Sequence, residues 1–198
     1  MKPLIVTLLL LFSVSVPAQP GLSTATAEAV IRAALKAETL MWSPFPLPYE
    51  VDRAQSSTDS VLLEALYKHG LVTRESELRL AGETVNGRSR KVAQALWIYR
   101  YPEGRAEDTG EGFYYGRPEL LRIVELSAPY LVGEYYYAEA FIQWAAVDLE
   151  AWIQDPALRT ARTLRRSLES RTRPFERRVY LQFDGQQWGF WRGQPGQL

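Results

Sequence analysis

The alternation of apolar and polar positions predicts most of the elements of this chain. Between Thr24 and about Thr39, Val30, Ile31, Ala34 and Leu35 share one helical face, while Glu28, Arg32 and Lys36 share another. Pro44, Pro46 and Pro48, at every second position, then favour extended chain, a stiff connector with Phe45 and Leu47 as pegs. Ser57-Thr58-Asp59 offers N-cap side chains, Leu62, Leu63, Leu66 and Tyr67 form a stripe, and Gly70 suits a helix end. The expectation is a helix from about Asp59 to His69. A short extended piece follows at Leu71 to Arg74. Glu77 to Leu80 and Gln94 to Tyr101 read as strands, with Asn86-Gly87 as the turn signal between them.

Pro102 through Gly112 is a polar loop. Phe113 to Tyr115 and Leu120 to Leu126 read as strands around a turn at Gly116-Arg117-Pro118, although Glu119 to Leu126 fits a helix equally well. Gly133 to Val147 is the longest strand candidate. Tyr136, Ala138, Ala140, Ile142, Trp144 and Ala146 make its core face; Tyr135, Tyr137, Glu139, Phe141 and Gln143 make a half-wet one. Asp155-Pro156 reads as a helix start, followed by a buried stripe of Leu158, Ala161, Leu164 and Leu168. Glu176 to Phe183 and Gln187 to Trp191 form a hairpin around a two-residue Asp184-Gly185 turn. These elements predict an α+β fold: an antiparallel sheet of about five or six strands with helices packed on one face.

Composition narrows the function classes. Lys and Arg number 23, Asp and Glu also 23, and apolar residues make up 46% of the 198 residues. That excludes disorder as the main state and disfavours a globally basic nucleic-acid binder. Lys2, the uncharged run from Leu4 to Val16 and the small residue Ala18 have the form of a secretory signal, too short for a membrane span. The expected organisation is a signal peptide over 1–18, a single domain over 19–192 and a disordered tail over 193–198. Within the domain, 19–56 holds the first helix and connector, 57–104 a helix plus hairpin, and 113–192 an aromatic-rich sheet and Arg-rich helix. Cleavage removes only Lys2 among the charged residues, leaving a net charge of −1 and no transmembrane segment. The expected location is periplasmic or secreted. With no Cys, disulfides and Cys metal sites are excluded.

Motifs for chemistry are sparse. Gly82-x-x-x-x-Gly87-Arg88-Ser89 imitates a phosphate loop, but Arg88 stands where the compact Lys ammonium is needed, and a hairpin tip explains the same glycines. The lone His69 precedes a helix-ending glycine and reads as a helix-end residue. Glu75 and Glu77 share a face in extended chain, as a solvated strand edge also would. No catalytic residue, metal site or cofactor is assigned. Arg159, Arg162, Arg165, Arg166, Arg171, Arg173, Arg177 and Arg178 form a basic run suited to an anionic partner or to a solvated face. The candidate ligand- or partner-binding residues are Tyr114, Tyr115, Arg117, Tyr135, Tyr137 and Phe141: aromatic rings on a face the core can spare, and a guanidinium suited to a carboxylate or phosphate.

Two resemblances add to this reading. Leu62 to Arg74 followed by a hairpin (residues 58–102) resembles the helix-and-wing half of a winged-helix DNA-binding domain. Nearly the whole mature chain resembles a family of small exported bacterial proteins of unknown activity, some labelled carbapenem-resistance-associated periplasmic proteins. The matching pieces are Leu63-x-x-Leu66-x-Lys68-x-Gly70-Leu71-x-Thr73-Arg74, Tyr99-x-Tyr101-Pro102-x-Gly104, Phe113-x-Tyr115-Gly116-Arg117 with Ile123-Val124, Trp152-x-x-Asp155-Pro156, and Asp184-Gly185 with Trp188. The chain departs from that pattern at Tyr114, where the family has Cys, and at the two Gln after Asp184-Gly185, where it has Trp directly. The second resemblance implies export and an α+β fold, and no reaction. The leading expectation is a non-enzymatic exported binding or interaction protein with an envelope protein or glycan partner and no nucleic acid. The alternative is an envelope enzyme acting on a polymer such as peptidoglycan through carboxylates, and a winged-helix nucleic-acid binder comes third.

Overall fold

The computed structural model describes residues 19–85, 88–104 and 112–195. The expected signal segment, the Asn86-Gly87 turn, most of the polar loop and the last three residues lie outside the described residues. Among the described residues no helix is long and apolar enough to cross a membrane.

Two helices form where local caps and periodicity place them. α1 (Thr24–Lys36) starts at Ser23, whose hydroxyl accepts from the Thr26 N–H, and buries Ala27, Ile31 and Leu35, spaced four apart. α2 (Thr58–Lys68) starts in a reciprocal capping box between Ser57 and Ser60 and buries Leu62, Leu63, Ala65 and Leu66. It stops at Gly70, whose φ of 70° is the left-handed conformation that glycine adopts freely.

The strands are β1 (Leu40–Trp42), β2 (Tyr49–Asp52), β3 (Thr73–Val85), β4 (Arg88–Arg100), β5 (Phe113–Leu126), β6 (Tyr130–Val132), β7 (Tyr135–Val147), β8 (Phe175–Phe183) and β9 (Trp188–Trp191). They form two antiparallel sheets. The larger runs β1-β5-β7-β8-β9, with β6 also on β7, and the smaller runs β2-β4-β3. The α+β class and the antiparallel sheet follow directly. The helices divide between two hydrophobic clusters. α1 covers the even face of β7, where Ala138, Ala140 and Ile142 meet Leu120, Val179 and Leu181. α2 and α3 (Arg162–Leu168) join a second cluster that includes Trp42, Phe45, Val51, Tyr99, Phe113, Tyr115 and Trp152 and links the two sheets.

Three local expectations change. First, residues 113–126 are one strand, not two strands around a turn, and not a helix over 119–126. β1 pairs with β5 only as far as Gly116, so Pro118 lies where β5 is an edge strand, the place in a sheet that tolerates a missing N–H. Bulges at Leu120/Arg122 and Ile123/Glu125 keep β5 in register with β7. Second, the helix expected from Asp155 is broken: a 3-10 turn at Ala151–Gln154 precedes Asp155, another follows at Leu158–Thr160, and α3 begins only at Arg162. Leu158 and Leu164 would lie about 120° apart on one continuous helix. Extended backbone at Ala161 (φ −66°, ψ 121°) resets the phase, and both leucines become fully buried. Third, the Asp184-Gly185 hairpin has a four-residue loop, with Phe183 paired to Trp188. The Asp184 carboxylate accepts from the Gln186 and Gln187 N–H groups and replaces the tight turn.

Candidate functional site

The six residues singled out by sequence do not converge. Arg117 pairs opposite Val147 at one end of β7, and Tyr135 stands at the other end, twelve residues or about 40 Å of strand away. Arg117 Nε donates to Asp148 Oδ2 at 2.5 Å, so its charge is already matched. Tyr114 is partly exposed, but Tyr115 is buried, with its hydroxyl 3.4 Å from Ser167 Oγ. Tyr135 is exposed. Tyr137, on the same face, is 6% exposed: Trp191 meets it edge-on at 6.0 Å, Tyr130 lies 6.5 Å away, and Gln182 donates to its hydroxyl at 2.8 Å. Phe141 is half-buried beneath the Arg178 guanidinium, 5.7 Å from its ring.

The face bearing Phe141 is wet, as alternation predicts. A cross-strand ladder runs over it: Arg122 donates to Gln143 at 2.8 Å, Gln143 donates to Glu176 at 2.8 Å, and Arg178 pairs with Glu139. The basic run does not act as one patch. Arg166 turns back to the Arg173 and Pro174 carbonyls and lies 4.6 Å from the Phe175 ring centre, Arg173 meets Glu169, and Arg177 meets Glu38. Arg159, Arg162 and Arg165 remain exposed.

A cleft of about 460 Å³ between α2, β2 and β4 brings Asp52, Glu64 and Asp155 together. The convergence invites an acid–base reading, and the partners of each carboxylate oppose it. The Ala54 N–H and then the Gln94 amide hold Asp52 below the usual aspartate range, and the Ala157 N–H and then His69 do the same for Asp155. Glu64 is paired with Arg74. Arg74 in turn lies 4.3 Å from the Tyr67 ring centre and 4.2 Å from that of Trp97, so Tyr67 leaves the expected core stripe to stack on a cation at the surface. Neither aspartate is positioned to carry a proton near neutral pH, as a general acid must. His69 Nε2 lies 3.1 Å from Asp155 Oδ2 and ties the end of α2 to the 3-10 turns. Among the described residues, no three His, Cys, Asp or Glu side chains are grouped to hold a metal ion.

A stability prediction arises here. Asp52, Asp155 and Asp184 all have folded-state pKa values below the ordinary 3.8. A depressed folded pKa gives stability that is complete above the unfolded value and is lost as pH falls through the folded one. Urea unfolding should therefore give a stability contribution from these groups that is level above about pH 5 and declines below about pH 4. Asp155→Asn should flatten part of that acid limb.

The feature that sequence periodicity missed is an arm. β3 and β4 pair over thirteen residues each, from Thr73–Arg100 to Val85–Arg88, while β2 flanks β4 only from Leu96 to Tyr99. Leu78 opposite Ala95 and Leu80 opposite Ala93 lie on one face of the two-stranded extension, 75% and 67% exposed. On the other face Arg79 donates to both oxygens of Glu50, at 2.9 and 3.0 Å, and to Glu77. Gly82 to Val85 therefore lie in β3 and Arg88-Ser89 in β4, where a phosphate loop needs a helix after the glycines. No family model, curated protein or solved structure matches this chain.

Proposed function

We propose that this protein is a non-catalytic interaction module of the cell envelope that docks on another protein through the β3–β4 arm. One observation carries the reading: two leucines on one face of the arm stand mostly in solvent. Large apolar side chains held side by side at the surface mark contact sites. The carboxylates Glu50 and Glu77 on the opposite face are bound to Arg79, so the leucine face is the one left open to a partner, and an apolar groove fits it best. Export rests on Lys2, the uncharged run to Val16 and Ala18. The engaged carboxylates of the α2 cleft weigh against the alternative of a polymer-cleaving enzyme.

The test is a photo-crosslinking amino acid placed at position 78 in the full chain, expressed in its own cell envelope. The expected result is one discrete protein adduct, lost when Leu80→Asp is added, and none from position 143 on the wet sheet face. Leu80→Asp should leave stability within about 0.5 kcal/mol of the wild type, because the site is exposed. Equal labelling from positions 78 and 143, or no adduct from 78, overturns the reading.

A further inference from the structure

β3 is an edge strand along its whole length. β4 lies on one side of it and, among the described residues, no strand lies on the other. One hydrogen bond fixes which backbone groups face outward. Arg53 N–H donates to the Ala95 carbonyl at 3.0 Å, so Ala95 directs its backbone groups away from β3. Direction alternates along a strand, so Gln94, Leu96 and Ile98 direct theirs at β3, opposite Arg79, Glu77 and Glu75. The N–H and C=O groups of Arg74, Ser76, Leu78, Leu80 and Gly82 therefore point outward, where no strand among the described residues meets them. A long edge carrying exposed large apolar side chains is a template for another strand.

The order of residues along β3 fits a second copy of β3. In an antiparallel pair centred on Leu78, Leu78 stands opposite Leu78 of the second copy and Ser76 opposite Leu80. Glu77 then stands opposite Arg79, once on each side of the two-fold axis. The neighbouring registers fail on charge. Centring on Glu77 opposes that carboxylate to itself, and centring on Arg79 opposes two guanidinium groups. Glu77 and Arg79 are already paired within the chain, with Glu50 as well. These charges therefore set the register, while backbone bonds and leucine contact supply the affinity. The other edge of the arm lacks this complementarity: beyond β2, β4 carries Arg90 and Lys91, which share one sign.

We propose that β3 pairs antiparallel with β3 of a second copy of this chain, about a two-fold axis at Leu78, and joins the two small sheets into one. Pairing from Arg74 to Gly82 spans about 27 Å of strand, and each outward-facing pair exchanges two backbone bonds. The contact uses the same patch on both copies, so it closes as a dimer and does not propagate as a fibre. Pairing through the edge is distinct from docking through the leucine face. It leaves that face open and brings the leucines of both copies onto one side of the joined sheet.

Sedimentation of the protein purified after expression of the full chain should show a dimer in the micromolar range. Glu77→Arg and Arg79→Glu should each weaken it about tenfold or more, because each change opposes like charges on both sides of the axis. Mixed in equal amounts, the two variants should recover the dimer, since each then meets its complement. Both should melt near the wild type, as changes at exposed sites do. In the wild type, amide exchange at Ser76, Leu78 and Leu80 should slow as protein concentration rises, and that at Glu77 and Arg79, already bonded to β4, should change less. A monomer throughout that range, a dimer indifferent to both reversals, no recovery in the mixture, or exchange at Ser76, Leu78 and Leu80 independent of concentration overturns the pairing. None of these outcomes bears on the leucine face. There the adduct of another protein from position 78 decides, and a self-adduct is told from it by mass.

Discussion

Trp152→Ala should melt far below the wild type. The indole is 6% exposed in a 3-10 turn, and it closes an aromatic triangle with Trp42 at 6.1 Å and Phe113 at 6.5 Å. Those partners come from β1 and β5, and α2, α3 and the small sheet pack against the same cluster. Truncation removes the ring that joins these elements and leaves a cavity between parts that can collapse onto it only by shifting the helices and sheets toward one another. Loss of an aromatic of this size costs about 3–5 kcal/mol. For a domain of this length that is a drop of roughly 6–20 °C. Calorimetry checks it. A variant melting with the wild type would mean that the ring is not part of the core. Trp152→Phe, which keeps an apolar ring, should recover much of the loss.

Gly116→Ala should be the more damaging of two glycine changes in strands, although it adds a single methyl group. A Cβ at Gly116 would lie 2.8 Å from the Val147 carbonyl oxygen and 2.9 Å from Leu149 Cδ2. The first is backbone of the neighbouring strand, so relief requires β5 and β7 to separate where Glu150 N–H also donates to the Tyr115 carbonyl at 3.0 Å. Overpacking of this kind costs about 1–3 kcal/mol. Gly82→Ala is the control. Nothing lies within 4 Å of a Cβ there, and the change should be close to neutral. Equal effects at the two positions in urea unfolding would refute the close approach at Gly116.

The sheet was legible wherever the pattern was long. β7 shows the two faces that alternation predicts, with Ala138, Ala140 and Ile142 in the core and Glu139, Phe141 and Gln143 on the wet side. The candidate site was less legible. A ligand set of Tyr114, Arg117 and Tyr135 assumes a sharp turn at Gly116, and a continuous β5 carries the pieces to opposite ends of β7. Nor does periodicity separate Leu78 and Leu80, which stand in solvent, from Val179 and Leu181, which are buried. Both pairs alternate in the same way along a strand.

What the sequence determined by itself is local. Ser23, Ser57 and Gly70 bound the first two helices because a cap needs only backbone groups within a few residues. Strand alternation likewise says which side chains share a face. Tertiary structure alone decided what each face meets. Arg177 finds Glu38 across 139 residues and His69 finds Asp155 across 86, so the basic run breaks into separate pairs and the histidine becomes a tie between elements. Tyr137 is buried because β6 and β9 bring Tyr130 and Trp191 to it, while Tyr135 on the same face stays in water. The physical reason is that burial belongs to a pair of surfaces, and the second surface comes from distant chain whose position depends on how the whole molecule packs.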